Sequence, residues 1–219
     1  MLLAFHNNPE IKEFYLNRVR RHRLQDDIIK GVYWENGKGC AIGCTLHAYK
    51  HSLYETELGI PQILAHLQDH VFEGLTSKDA KDFPERFLEA ILVGADLSKV
   101  WSNFILWVLV DPECGIVNRA TSGSNVEAIV RKVARFVEVG GTPEEGDQLI
   151  HEAFERDFDV SYHVALAVNE IAGKFFNEAA SSFYLALASA DEKWEKTNYK
   201  AQAEKLIELL KEAPVPATV

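Results

Sequence analysis

The sequence predicts an all-α fold, a single compact domain of eight or nine helices with one short β-hairpin near residues 31–42. Apolar residues recur at helical spacing along most of the chain, between Gly and Pro breaks. With 47% hydrophobic and 26% charged residues, the composition is that of an ordinary globular protein. The clear exception to helical spacing is Asn36-Gly37, which lies between two β-prone runs and is typical of a type I′ hairpin turn.

Helix starts and stops are marked by familiar capping residues. Asn8 followed by Pro9 begins the first helix, since Asn caps free amides and Pro suits the first turn. Thr142-Pro143-Glu144-Glu145 is a capping box, and Gly or Pro ends most other segments. The predicted helical segments are 9–30, 61–73, a short segment from Ser77, 84–93, 97–110, 124–139, 142 onward, 160–188 and 191–213.

The expected core combines the most apolar of these segments. No linker separates domains, so residues 1–213 are predicted to form one helical domain, with 214–219 as a frayed tail after Pro214. Residues expected to be buried are Leu46, Trp101, Phe104, Trp107, Ile129, Val133, Val168 and Phe175.

Charge and cysteine usage exclude some classes of function. The net charge of −10 argues against nonspecific binding to nucleic acid or to an anionic membrane. Three cysteines do not make a disulfide framework, so we expect a reducing compartment, the cytoplasm. The first residues lack the basic region of a signal peptide, and the longest apolar run, 104–110, is too short to cross a membrane.

The charge is uneven along the chain. Residues 1–60 carry eight basic and seven acidic side chains, whereas residues 61–219 carry fifteen and twenty-six, a net charge of −11. A basic cluster, Arg18, Arg20, Arg21, His22 and Arg23, either binds phosphate or an acidic partner or is simply a solvated helix face. The solvated face is the more common outcome for such clusters.

A stripe of cysteine and histidine follows the predicted hairpin. On a continuous helix, Cys40, Cys44, His47 and His51 would lie on one side, opposite an apolar stripe. Thiolate and imidazole suit zinc, so Cys44, His47 and His51, together with the i,i+4 pair His66 and His70, are candidate zinc ligands. A solvent-facing stripe without any metal is the alternative, because the spacing matches no established zinc motif.

The two cysteines are also candidate catalytic nucleophiles. Cys40 or Cys44 would sit near the first turn of a helix, where free amides stabilise a thiolate, with His47 or His51 as the base. The alternative is a small buried thiol with a packing role.

Several blocks of sequence resemble one protein family. YWENGKGCAIGCT at 33–45 and YETELGIP at 54–61, with weaker blocks at 72–75 and 93–98, are similar to the signature of uncharacterised bacterial and phage-encoded helical proteins. The likeness covers about residues 8–115. It implies a bacterial or phage intracellular setting, and it brings no activity, substrate or cofactor with it.

Three functional hypotheses follow. The favoured one is a helical protein that binds an unknown protein or small molecule in a crevice near the hairpin, through Tyr33, Trp34, Cys40, Cys44, His47, His51 and Trp101. The second is a metal- or thiol-dependent enzyme that uses the stripe. The third presents the acidic residues 61–219 to a basic partner. Whether the protein is an enzyme, and whether it forms an oligomer, are left open.

Overall fold

The computed structural model describes residues 1–48, 50–113, 115–119, 125–156 and 192–217. These residues are mostly helical and contain a single two-stranded antiparallel hairpin, which confirms the predicted fold class. The helices are α1 Pro9–Leu24, α2 Ala41–Leu46, α3 Leu53–Leu58, α4 Gln62–Gly74, α5 Ser77–Ala90, α6 Val100–Val110, α7 Asn125–Val139, α8 Pro143–Arg156 and α9 Glu192–Glu212. Short 3₁₀ turns cover Ala4–Asn7 and Ile116–Arg119, and the strands are β1 Trp34–Glu35 and β2 Lys38–Gly39.

Internal contacts divide the chain into two compact units. The first contains residues 1–101 and 198–219, and the second contains residues 102–197. In the first unit α1 packs on α2 and α5, and α4 packs on α2, α3 and α5. In the second unit α7 packs on α8 and on the 3₁₀ turn that precedes it. The single-domain organisation stays a prediction.

The hairpin forms where the turn chemistry places it. Trp34 pairs with Gly39 and Glu35 pairs with Lys38, around a two-residue turn at Asn36-Gly37. Both turn residues have positive φ, 51° at Asn36 and 83° at Gly37, as a type I′ turn requires. A lone hairpin is marginal in water, and here the preceding segment supports it through Gly39 N to Asp27 O at 3.0 Å.

The first helix ends six residues earlier than the predicted Lys30. Its start is as expected, because Asn8 Oδ1 accepts a hydrogen bond from Glu10 N at 2.9 Å. Its end is at Leu24, since Asp26 adopts a left-handed conformation with φ 58°. Short acidic side chains tolerate this conformation, so the helix stops without waiting for Gly31.

A second correction concerns Pro84, which lies inside α5 rather than at the start of a helix. Thr76 caps the helix, accepting from Asp79 N at 3.2 Å. Phe83 and Phe87, on either side of the proline, are fully buried. The packing of this apolar face outweighs the backbone hydrogen bond that proline cannot make.

The predicted core is largely confirmed among the described residues. Those that are buried as expected are Leu46, Trp101, Phe104, Ile129 and Val133. Trp107 is the exception: it is half-buried, although it lies on the very apolar helix α6. Val168, Phe175 and the predicted helix 160–188 lie outside the described residues.

The capping box at the start of α8 is confirmed in both directions. Thr142 N donates to Glu145 Oε2 at 2.7 Å, and Glu145 N donates to Thr142 Oγ1 at 3.3 Å. At the other end of the chain, the frayed tail at 214–219 stays a prediction, and one contact is observed for Pro214. Its carbonyl accepts from Asp96 N at 2.8 Å, which ties the end of α9 to the loop before α6.

Candidate functional site

The cysteine and histidine stripe is not continuous, because α2 is only six residues long. The helix ends at Leu46, and the next residue, His47, adopts a left-handed conformation with φ 56° and donates its amide to Gly43 O at 2.8 Å. A loop then leads to α3, so His51 does not follow His47 on one helix face. The expectation of a single stripe is therefore wrong.

The two cysteines are enclosed in the protein. Cys40 is 2% exposed and Cys44 is 0% exposed. Burial, followed by the facing carboxylate of Asp69, raises the pKa of Cys40 well above its usual range. Burial raises the pKa of Cys44 to about 12, and its thiol donates to Gly39 O at 3.3 Å. Both are thiols at neutral pH, and neither has the exposed, electropositive setting of a reactive cysteine.

His47 pairs with a histidine that the sequence analysis did not connect with it. Nε2 of His47 lies 2.7 Å from Nε2 of His22 at the end of α1, and Nδ1 of His22 lies 3.2 Å from Asp27 Oδ2. The ring of Trp34 stacks on His47, with centroids 4.3 Å apart and planes 10° apart. At this distance one Nε2 donates a hydrogen bond and the other accepts it. We call His22 and His47 the first imidazole pair. Asp27 and Trp34 lie on either side of it.

His47 is exposed and lies in a positive electrostatic environment. Partial burial lowers its pKa, and the positive charges of Arg18, His22 and Arg21 lower it further. Arg18 is held beside it, because its guanidinium donates to Thr45 O at 2.9 Å. The imidazole is consequently neutral over most of the physiological range.

A second imidazole pair lies at the other end of the same loop. The rings of His51 and His66 stack with centroids 4.0 Å apart, and His51 Nε2 lies 3.3 Å from Asp69 Oδ2. Gln62 on α4 donates to His66 Nε2 at 3.2 Å. Tyr33 meets His51 edge-on at 6.1 Å. Successive residues of the hairpin, Tyr33 and Trp34, therefore contact one imidazole pair each.

The candidate zinc ligands do not converge. Within the described residues, no three His, Cys, Asp or Glu side chains are grouped so that they could hold a metal ion. His22 uses both ring nitrogens, one for Asp27 and one for His47, so these three side chains do not face a common centre. His70 faces Tyr199 of α9, and burial lowers its pKa to about 4. The geometry gives the zinc hypothesis no support.

The hairpin holds its aromatic side chains in a fixed position. A Cβ at Gly39 would lie 2.1 Å from Tyr33 O, and one at Gly43 would lie 1.5 Å from the same atom. Only glycine at both positions lets the backbone of Tyr33 lie directly on β2 and α2. Tyr33 remains 36% exposed and Trp34 half-buried, whereas Trp101 is 8% exposed and has little area to offer a ligand.

Three polar residues of this region, His22, Asp27 and Asp69, are not among the predicted site residues. His22 was read only as part of the basic cluster, and Asp27 and Asp69 were given no role. Their partners lie far along the chain, with His22 and His47 separated by 25 residues. A single sequence contains no periodic signal for such a pairing.

Comparisons with protein-family models, with curated proteins and with solved structures found no match to this chain. The likeness to uncharacterised bacterial and phage proteins therefore stays a prediction. Among the residues that the structure describes, none of the helices has the length and apolar character needed to span a lipid bilayer.

Proposed function

We propose that this protein binds a small molecule at the surface formed by Tyr33, Trp34 and His47. We call this the hairpin surface. The observation that carries the proposal is the Trp34–His47 stack, with the exposed imidazole joined through His22 to the carboxylate of Asp27.

Rigid presentation of these side chains supports binding. Gly39 and Gly43 leave room for nothing larger than hydrogen against the Tyr33 carbonyl, so the hairpin is held to α2 before any ligand arrives. Preorganised aromatic groups lose little conformational entropy when they contact a ligand. Aromatic faces with a few convergent polar groups are typical of small-molecule sites.

The enzyme alternative receives less support from the same region. A cysteine nucleophile needs a thiolate that a substrate can reach, and both Cys40 and Cys44 are buried with raised pKa values. The acidic-partner alternative concerns residues 61–219, and no observed contact favours it over the hairpin surface.

A fragment screen followed by protein NMR tests the proposal. Small aromatic and polar fragments should give saturable shifts of the Trp34 indole N–H and of the backbone around His47. His47→Ala should weaken those fragments, whereas Leu92→Ala, at a 50% exposed residue of another surface, should not. If His47→Ala proves unstable, Trp34→Phe is the second variant: its smaller ring should also weaken the fragments, as followed by the backbone signals around His47. Hits that leave the Trp34 signal unmoved, or that bind His47→Ala equally well, would contradict the proposal.

A further inference from the structure

The basic cluster of α1 divides into two differently paired sets of arginines. Arg20 and Arg23 turn toward α5, where Glu85 receives both of them, at 2.8 Å from Arg20 and 2.6 Å from Arg23. The carboxylate of Glu85 thus offsets their positive charges. This half of the cluster behaves as the solvated, ion-paired face that the sequence analysis considered.

The other half lies beside the hairpin surface and has no such partner. Neither Arg18 nor Arg21 forms an ion pair with a carboxylate in the described part of the chain. Arg18 instead lies over the ring of Phe14 at 4.5 Å and donates to Thr45 O. Arg21 is exposed and directly precedes His22, whose Nε2 lies 2.7 Å from His47 Nε2.

From this arrangement we infer that the hairpin surface recognises the phosphate group of a small phosphate monoester, held by Arg18, Arg21 and the exposed His47. The inference rests on the proposed function, because it names the ligand class of the same surface. Tyr33 and Trp34 would then contact the rest of the ligand.

Phosphate fits this set of groups better than a carboxylate does. Two guanidinium groups carry two positive charges, which match a phosphate dianion, whose three terminal oxygens can accept from several donors at once. The second ionisation of a phosphate monoester lies near pH 6, in the range where imidazole titrates. Protonation of the imidazole therefore adds positive charge in a pH range where part of the phosphate monoester is still a dianion.

The groups around His47 set the direction of the coupling between protonation and binding. Arg18, Arg21 and His22 face it from α1, while Asp27 lies behind His22 and has Lys38 at 3.8 Å. An anion beside these cations stabilises the protonated imidazole. Bound phosphate should thus raise the apparent pKa of His47, because the dianion binds the protonated imidazole more tightly than the neutral one.

Titration of the full chain with inorganic phosphate, followed by NMR at constant ionic strength, tests the inference. We expect saturable shifts around His47, an upward shift of its titration midpoint, and no saturation with acetate. Arg21→Gln should weaken phosphate binding by about tenfold, the usual loss for a hydrogen bond between charged groups. Arg20→Gln removes the same charge from the same helix and should change binding less than about twofold.

Each contrary result has a definite meaning. Equal effects of the two arginine variants, equal binding of acetate, or non-saturating shifts from an adventitious ion only would overturn the inference. Fragments that still bind at Trp34 while phosphate fails would refute the phosphate class and leave the proposed function standing. If neither the fragments nor phosphate bind at this surface, the proposed function fails and the phosphate class fails with it.

Discussion

Gly43 gives the sharpest test of how the hairpin is held, because local preference and tertiary packing predict opposite signs for Gly43→Ala. Alanine in a helix is favoured over glycine by about 0.5–1 kcal/mol, so α2 alone would gain stability. The added Cβ, however, would lie 1.5 Å from Tyr33 O and 2.6 Å from Tyr33 C. To restore an ordinary contact of about 3.5 Å, the backbone at Tyr33 must move away from α2 by roughly 2 Å.

Overpacking against a neighbour that cannot rotate away costs about 1–3 kcal/mol, and a backbone carbonyl is such a neighbour. A contact of 1.5 Å places the cost at the upper end of that range, so after the helix preference is subtracted we expect Gly43→Ala to lower the free energy of unfolding by about 2 kcal/mol. Urea denaturation followed by circular dichroism and indole fluorescence measures this loss. Gly31→Ala is the control: it also changes a glycine near the hairpin, but nothing lies within 4 Å of its Cβ. Alanine at its positive φ of 76° is strained, so we expect a loss of about 1 kcal/mol from the backbone alone. A Gly43→Ala protein as stable as wild type would refute the close contact with Tyr33.

Two further predictions concern the chemistry of the same region. Cys40 and Cys44 should resist a thiol reagent at pH 8 until the protein is unfolded, because both are buried with raised pKa values. The measurement uses Cys114→Ser protein, so that the third cysteine of the chain does not react. Rapid labelling of the native protein would show an accessible thiolate instead. The NMR titration midpoint of His47 should lie below the ordinary value of about 6.5, and Arg18→Gln should raise it, since one of the charges that lower it is removed. By linkage, a lowered pKa means that the unfolded chain binds more protons, so the stability supplied by His47 falls as the pH falls through about 6.5, and it falls less steeply in Arg18→Gln. An unchanged midpoint in Arg18→Gln would show that the charge of Arg18 does not lower the pKa of His47.

Features that depend on neighbouring residues alone could be read from the sequence. The turn at Asn36-Gly37 needs positive φ at two consecutive positions, and few other residue pairs supply it. The capping box of Thr142 and Glu145 likewise closes within four residues. In both cases the chemistry that determines the structure lies inside a short window.

Features that depend on distant partners could not be read in this way. The stop of α1 at Leu24 follows from a left-handed Asp26, one of several residues that could have ended the helix. The continuation of α5 through Pro84 depends on packing that the local signal opposes. The candidate site shows the same division. The sequence identified Tyr33, Trp34, His47 and His51, but the pairing of the histidines with His22, His66 and two aspartates arises only when α1, α4 and the loop meet.

The central claim is that His47 and His22 form a hydrogen-bonded pair beside the hairpin surface. Side-chain ¹H–¹⁵N correlation spectra of ¹⁵N-histidine-labelled protein at pH 7.5 test it directly. We expect one Nε2 of the pair to be a protonated donor and the other an unprotonated acceptor, as an N···N distance of 2.7 Å requires. His47→Ala should then change the nitrogen shifts of His22 while leaving those of His66 unchanged. Random-coil shifts for both His22 and His47, or a His22 signal that does not respond to His47→Ala, would contradict the claim.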